Sequence, residues 1–165
     1  MDYEIRAARA TDIPMVRDIF NEIVATSTAI FQETPATLED RQAWFQQKQA
    51  QAEPMLVASN AAGEVFGFAT YGTFRDRPCY RFTVEHTVHV AASARGQGVG
   101  AALLEEVIAQ AREAKLHVMI AGVDAANEGG IRFHKAHGFE EVGHLRQVGF
   151  KFGRWLDLVF MQRIL

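Results

Sequence analysis

The hydrophobic positions of this chain change their spacing partway along it. In the first fifty residues they recur every three or four positions, which is typical of amphipathic helices. After a short strand over 3–8, this spacing predicts a helix over 12–25 and a second helix after Thr37, whose hydroxyl can cap the first turn. The apolar positions of the two helices are Val16, Ile19, Phe20, Ile23, Val24, Leu38, Trp44 and Phe45.

From Met55 onward the spacing becomes that of strands. Two apolar runs, 55–59 and 65–71, flank a turn and predict a hairpin. The segment 80–90 alternates most clearly and predicts a strand with two different faces. One face carries Tyr80, Phe82, Val84, His86, Val88 and Val90, and the other carries Arg81, Thr83, Glu85, Thr87 and His89.

The last third of the chain mixes both spacings. It predicts in turn a helix over 98–114, a strand over 117–123, a helix over 127–137 and two closing strands, 139–145 and 155–162. This order predicts an α/β protein of the α+β type, in which a mixed sheet has helices on both faces. The helix over 98–114 forms one parallel crossover.

Composition narrows the class of protein. The chain has 165 residues, 48% of them hydrophobic, and a formal net charge of −3, which fits a single domain over 1–165. This charge argues against nucleic acid or an anionic membrane as a partner. The lone Cys79 excludes an intrachain disulfide, and we expect a cytoplasmic protein.

A glycine-rich segment joins the strand at 80–90 to the helix at 98–114. It reads Arg95-Gly96-Gln97-Gly98-Val99-Gly100. Glycines allow the backbone to approach a ligand closely, and amides at a helix N-terminus favour an anion such as a pyrophosphate. The spacing does not fit a Walker loop or a dinucleotide fingerprint. A flexible connecting turn is the alternative.

This segment resembles the acyl-CoA signature of the GNAT N-acetyltransferases. Nearly the whole chain resembles the phosphinothricin and methionine sulfoximine acetyltransferase branch, on the segments 82–88, 133–135, 138–139 and 149–157 and on Asn127. The resemblance implies a mostly antiparallel central sheet with a splayed central strand pair that receives acetyl-CoA. The implied acetyl-CoA contacts are Val88, His89, Val90, Arg95, Gly96, Gln97, Gly98, Val99, Gly100, Ala101 and Asn127. One departure is Gly130, where the branch often has serine.

Two side chains are candidates for proton transfer. An amine bound at neutral pH arrives as ammonium, and a nearby carboxylate can take its proton. Glu85 projects from the polar face three residues before Val88, whose amide could stabilise the developing oxyanion. The resemblance implies that Glu85 is the base and that His134 protonates or hydrogen-bonds the leaving thiolate. The alternatives are a solvated strand carboxylate and a helix-surface histidine.

The acceptor contacts are predicted on a charged loop and on the strand beside it. Arg75 and Arg77 flank Asp76, and guanidinium groups match carboxylate or phosphinate oxygens. A solvated charge cluster is the alternative. The resemblance adds Glu85, His86 and Thr87 to these three residues, and Phe31 could cover the acceptor side chain. No metal site is expected, because the histidines lack suitably placed partner ligands.

Together these observations predict an acetyl-CoA-dependent N-acetyltransferase. Its acceptor would be a small amino-acid-like amine of the phosphinothricin, methionine sulfoximine or methionine sulfone type. We expect 155–157 to close the sheet, with Trp155 packing and Asp157 making a fixed polar contact. The resemblance also implies a homodimer whose interface lies near this region. The alternatives are a peptide or protein N-acetyltransferase and a non-catalytic acyl-CoA-binding module.

Overall fold

The fold is a single seven-stranded sheet covered by helices on both faces. The computed structural model describes residues 2–165. Within them the strands follow the order β1-β2-β3-β4-β5-β7-β6 across the sheet. The strands are β1 (Glu4–Ala7), β2 (Met55–Ser59), β3 (Val65–Thr73), β4 (Thr83–Val90), β5 (Val118–Asp124), β6 (Glu140–Lys151) and β7 (Arg154–Ile164). The helices are α1 (Ile13–Thr26), α2 (Leu38–Ala50), α3 (Val99–Glu113) and α4 (Glu128–Ala136).

Each face of the sheet has its own hydrophobic core. On one face, α1 and α2 cover Val57 and Phe68, and the Trp44 ring packs edge-on against the Phe68 ring. On the other face, α3 buries Leu103 and Val107 completely, and α4 packs beside it. The capping prediction for α2 is confirmed, since the Thr37 hydroxyl accepts from the Asp40 amide. The predicted two-faced mixed sheet is therefore confirmed.

The central strands β4 and β5 pair over a short stretch and then diverge. They pair in parallel only from Thr83 opposite Val118 to Glu85 opposite Ile120. Beyond that point β4 remains paired with β3, whereas β5 remains paired with β7. The gap between them confirms the predicted splay and opens the interior of the sheet at the end of β4.

Two strand boundaries differ from the prediction. The strand predicted over 80–90 begins at Thr83, because Pro78–Tyr80 form a 3₁₀ turn in which the Tyr80 amide donates to Arg77 O. The closing strands are longer than predicted and form a hairpin that turns after Lys151. Register shifts near Gly143 and between Leu145 and Gly149 interrupt the alternation of β6, which explains why its second half escaped detection.

Candidate active site

A cavity of about 550 Å³ lies where β4 and β5 separate. The β4 segment 85–89 forms one wall and the β5 segment 121–124 forms the opposite wall. Side chains from α1, α2 and α4 complete it, so both faces of the sheet contribute. The splay thus creates a pocket in what would otherwise be continuous sheet.

Glu85 lies in this cavity with its carboxylate unengaged. Among residues 2–165 no side chain or amide donates a hydrogen bond to it. Gly122 on β5 provides the space, since a Cβ there would come within 3.1 Å of Glu85 Oε1. Burial raises the pKa of Glu85 above its ordinary value. By surface area Glu85 stays exposed to the open cavity, so its carboxylate is only partly desolvated. A carboxylate without a donor is a suitable proton acceptor.

His86 points to the other face of β4 and meets His134 of α4. Their Nε2 atoms are 3.1 Å apart, and His134 Nδ1 lies 2.7 Å from Gly130 O. Because a carbonyl only accepts, His134 carries its proton on Nδ1 and its Nε2 accepts from His86. His86 Nδ1 is buried without a partner. Both rings also pack against Phe139.

Burial keeps this histidine pair neutral. It lowers the pKa of His86 to about 3, with a further contribution from His134. Burial also lowers the pKa of His134, against the opposing effect of its bond to Gly130. Both imidazoles are therefore uncharged at neutral pH, and the nitrogens of His134 are already engaged within the chain.

A groove of about 880 Å³ adjoins the cavity and ends at the glycine bend. Gly96 and Gly98 have φ of +74° and +82°, a conformation that side chains disfavour, and α3 begins directly afterwards. Arg95 is fixed beside the bend, since it donates to Val90 O and pairs with Glu22 of α1 at 2.9 Å. Exposed amides at a helix N-terminus form an anion-binding arrangement.

Nearly all the residues that the resemblance implies for acetyl-CoA binding line this groove. The exception is Gln97, whose side chain turns away and donates to Ser93 O. The others line the groove: Val88, His89, Val90, Arg95, Gly96, Gly98, Val99, Gly100, Ala101 and Asn127.

Asn127 both caps α4 and lines the groove. Its side-chain oxygen accepts from the Gly130 amide at 2.8 Å. A Cβ on residue 130 would lie 2.6 Å from Asn127 Nδ2, so the serine that the resemblance implies there would force Asn127 to move. Gly130 therefore leaves room for this orientation of Asn127.

Cavity and groove form one continuous space. Their shared lining residues are Ala29, Val88, His89, Asn127, Gly130 and Phe133. An elongated ligand in the groove would thus bring one end to Val88, in the cavity that also holds Glu85. This arrangement allows two substrates to meet beside a carboxylate.

The structure does not bring every predicted acceptor residue into this space. Glu85, His86 and Thr87 line the cavity. Arg75, Asp76 and Arg77 instead line a separate surface depression, so their acceptor role stays a prediction.

Phe31 also lies outside the cavity. Its ring covers Gly149, where a Cβ would come within 2.6 Å. Phe31 does not line the cavity in the single chain, so its acceptor role stays a prediction. Its neighbours Ile30 and Gln32 reach the cavity instead, because the loop is fixed by contacts from β6 that local spacing does not reveal.

Several residues of the cavity were missed by sequence reasoning. Phe20 and Trp44 were assigned only to the hydrophobic stripes of their helices, and Arg41 was passed over as one charge on a polar helix face. All three line the cavity. The only available signal was helical spacing, since Arg41 and Trp44 are three residues apart and share a helix face.

The remaining expectations have mixed outcomes. Asp157 makes its predicted fixed contacts, accepting from the Gln147 amide and His144 Nε2, both at 2.8 Å. Trp155 packs edge-on against the Phe150 ring, although it is still 62% exposed. Cys79 is exposed outside the cavity. Over residues 2–165, no helix is long and apolar enough to cross a membrane.

Comparisons with known proteins agree with this geometry. The sequence profile of the acetyltransferase (GNAT) family matches residues 16–139. An L-methionine sulfoximine/L-methionine sulfone acetyltransferase from Pseudomonas paraeruginosa is 49% identical over 162 residues, which cover 98% of this chain and 94% of the relative.

Two solved structures are also similar. A GNAT superfamily phosphinothricin acetyltransferase from Sinorhizobium meliloti, in complex with AcCoA, is 37% identical with a TM-score of 0.95, and the match covers 100% of this chain and 89% of that chain. A ribosomal-protein-alanine N-acetyltransferase from Brucella melitensis is 48% identical with a TM-score of 0.96, covering 98% and 99% of the two chains.

Proposed function

Because the chain belongs to the acetyltransferase (GNAT) family and is an acetyl-CoA-dependent N-acetyltransferase, we propose that its acceptor is a small amino-acid-like amine. Methionine sulfone, methionine sulfoximine and phosphinothricin are the acceptors that its relatives' names suggest. The observation that carries the proposal is the unengaged Glu85 carboxylate in a cavity continuous with the groove.

The residues of the groove fit acetyl-CoA. Among residues 2–165, a Cβ built on Gly96 would meet no atom within 4 Å beyond its chain neighbours, so this side of the bend is open to a pyrophosphate. Asn127 and the free edge of β4 offer polar groups to the pantetheine amides. When bound, acetyl-CoA supplies the thioester from which the acetyl group is taken.

Glu85 removes a proton from the acceptor ammonium. The free amine then attacks the thioester carbon, the new C–N bond forms and the C–S bond breaks. CoA leaves as a thiolate, and the second proton released by the amine nitrogen neutralises it to the thiol. The Val88 amide can donate to the carbonyl oxygen as it gains negative charge. No side-chain nucleophile is required, which agrees with the position of Cys79 outside the cavity.

The role of His134 at the leaving thiolate stays a prediction. His134 is neutral and its Nδ1 proton is donated to Gly130 O. Because its Nε2 accepts from His86, the neutral ring has no free N–H for the sulfur, so that role requires the contact between the two rings to open. His86 holds it in one tautomer through the Nε2 contact.

A thiol-release assay tests the proposed acceptor class. The purified protein and acetyl-CoA are supplied with methionine sulfone, methionine sulfoximine, phosphinothricin, a polyamine or an alanine-terminated peptide. We expect kcat/KM to be at least about tenfold higher for the amino-acid analogues, since unpaired polar groups in the site penalise a poorly matched acceptor. A preference for the peptide would support the protein acetyltransferase alternative, and no CoA release with any amine would support the non-catalytic one.

We also propose that the protein is a homodimer. The hairpin β6–β7 carries a set of exposed apolar side chains, here called the hairpin patch: Val142, Leu145, Val148, Phe150, Phe152 and Trp155. They lie beside the long free edge of β6. Exposed apolar patches and unpaired edges are both normally covered by a partner, and a second copy would cover both at once.

Trp155→Glu tests the dimer. Placing a charge at the most exposed member of the hairpin patch is expected to shift the protein from dimer to monomer in sedimentation velocity at micromolar concentration. Ile164→Glu is the matched control, because Ile164 is similarly exposed on β7 but outside the patch. A wild-type protein that sediments as a monomer, or an unchanged Trp155→Glu dimer, would contradict the proposal.

A further inference from the structure

Arg41 lines the cavity but has no role in the proposed mechanism. It projects from the first half of α2 and is held between two aromatic rings. Its guanidinium carbon lies 4.6 Å from the centroid of Phe20 and 4.8 Å from that of Trp44. Such stacking fixes the plane of the guanidinium while leaving its edge free to donate.

No acidic group neutralises this cation. Among residues 2–165, Arg41 makes no salt bridge and its side chain donates no hydrogen bond. Its Nε is buried without a partner, which carries a free-energy cost. Burial accordingly lowers the pKa of Arg41, although Asp40 opposes this effect.

The other charged groups of the cavity are already committed. Asp124 accepts hydrogen bonds from the Thr28 hydroxyl and the Ala126 amide. Glu85 is assigned to the ammonium. The buried His86 and His89 are neutral, because burial lowers their pKa values to about 3 and about 4. The cavity therefore has one cation without a counterion and one carboxylate without a donor.

We propose that Arg41 binds the α-carboxylate of the acceptor. The inference rests on the proposed function and deepens it, because the site then complements a zwitterion: the ammonium faces Glu85 and the carboxylate faces Arg41. A guanidinium fixed in one plane suits two parallel hydrogen bonds to a carboxylate. Arg41 thereby takes the role that the sequence suggested for Arg75 and Arg77.

This assignment makes the free α-carboxylate a determinant of specificity. Simple amines and peptide N-termini lack that group and leave the Arg41 guanidinium unpaired in the cavity. The site then rejects them through an unsatisfied charge as well as a lost contact. Free amino acids of suitable side-chain size are accepted.

The test compares two acceptors that differ only in the carboxylate: methionine sulfone and the amine that its decarboxylation would give. Arg41→Met is expected to lower kcat/KM for methionine sulfone by about 10- to 100-fold, the usual range for losing a charge-assisted pair. For the decarboxylated amine, kcat/KM should not fall and is expected to rise, because no unpaired guanidinium then faces it, while KM for acetyl-CoA should stay within about threefold of wild type. Arg17→Met is the control, since Arg17 pairs with Asp18 outside the cavity.

Arg41→Lys covers the case in which Arg41→Met does not fold. It keeps the cation but loses the planar fork, so a smaller loss confined to methionine sulfone is expected. Equal losses for both acceptors in a folded variant would overturn the proposal, because they would indicate a packing role. No loss for methionine sulfone would overturn it as well.

Binding separates this inference from the proposed function. Calorimetry with methionine sulfone in the presence of CoA needs no turnover. We expect weaker binding to Arg41→Met than to wild type, and equal binding would overturn the assignment of Arg41. If wild type acetylates neither acceptor, the proposed function fails, whereas the calorimetric result still decides the role of Arg41.

Discussion

Replacing Glu85 with glutamine is expected to lower kcat by about 100- to 10,000-fold, the usual contribution of a positioned general base. The amide keeps the shape of the side chain but cannot take a proton from the acceptor ammonium. Acetyl-CoA binding should be preserved, because the glycine bend and Asn127 do not contact Glu85. Steady-state thiol release with saturating methionine sulfone measures the effect.

The same variant should change the pH profile. Burial raises the pKa of Glu85, so in wild type kcat/KM should fall as the pH drops through that raised pKa, above the ordinary range of a glutamate. Protonation then removes the acceptor for the ammonium proton. Titration of His86 does not change kcat/KM near neutral pH, since its pKa is about 3. Glu85→Gln should lose the acidic limb.

A carboxylate of the same sheet provides the control. Glu4 is exposed on β1 at the far edge, and Glu4→Gln should retain wild-type kcat and pH dependence. Unchanged turnover of Glu85→Gln at neutral pH would remove Glu85 from its proposed role. A weakened affinity for acetyl-CoA would instead indicate that the substitution had disturbed the shared wall of cavity and groove.

Replacing Lys151 with methionine is expected to reduce the free energy of unfolding by about 2–4 kcal/mol. Lys151 is buried at the end of β6 and donates to Ser27 O at 2.6 Å and Ile30 O at 2.8 Å. Methionine leaves both carbonyls without their donor, although it also relieves the burial of a charge, which lowers the pKa of this lysine. Urea denaturation at neutral pH measures the change.

The acceptor site should respond to the same substitution. The loop tied by Lys151 carries Ile30 and Gln32 into the cavity, so KM for the acceptor should rise more than KM for acetyl-CoA. Lys135→Met is the control, because Lys135 is largely exposed and surface changes usually stay within about 0.5 kcal/mol. A folded Lys151→Met variant with wild-type stability would show that this loop is held by its other contacts.

Sequence reasoning worked where the chemistry lies on one regular element. Alternation along β4 correctly placed Glu85 and His86 on opposite faces, and two positive-φ glycines marked the bend before α3. These features depend on local spacing and backbone conformation. The resemblance supplied what spacing could not, namely the splay between β4 and β5.

Sequence reasoning failed where distant segments meet. Arg41 belongs to a helix with a mostly polar sequence, and only the packing of α2 against α1 and of Trp44 against Phe68 places it in the cavity that also holds Glu85. Phe31 lies on a loop whose position is set by Lys151, some 120 residues away in the chain. Trp155 contacts Phe150 but stays largely exposed. Such long-range contacts leave no periodic signal.

The parting of β4 and β5 has a thermodynamic consequence. Past Glu85, the main chain of β4 presents polar groups toward the gap that no neighbouring strand satisfies. The backbone N–H and C=O groups of β4 that face the gap therefore lack strand partners and depend on solvent for hydrogen bonds. A cosubstrate whose amides bonded to these groups would stabilise the folded protein, so conformational stability would rise with its occupancy.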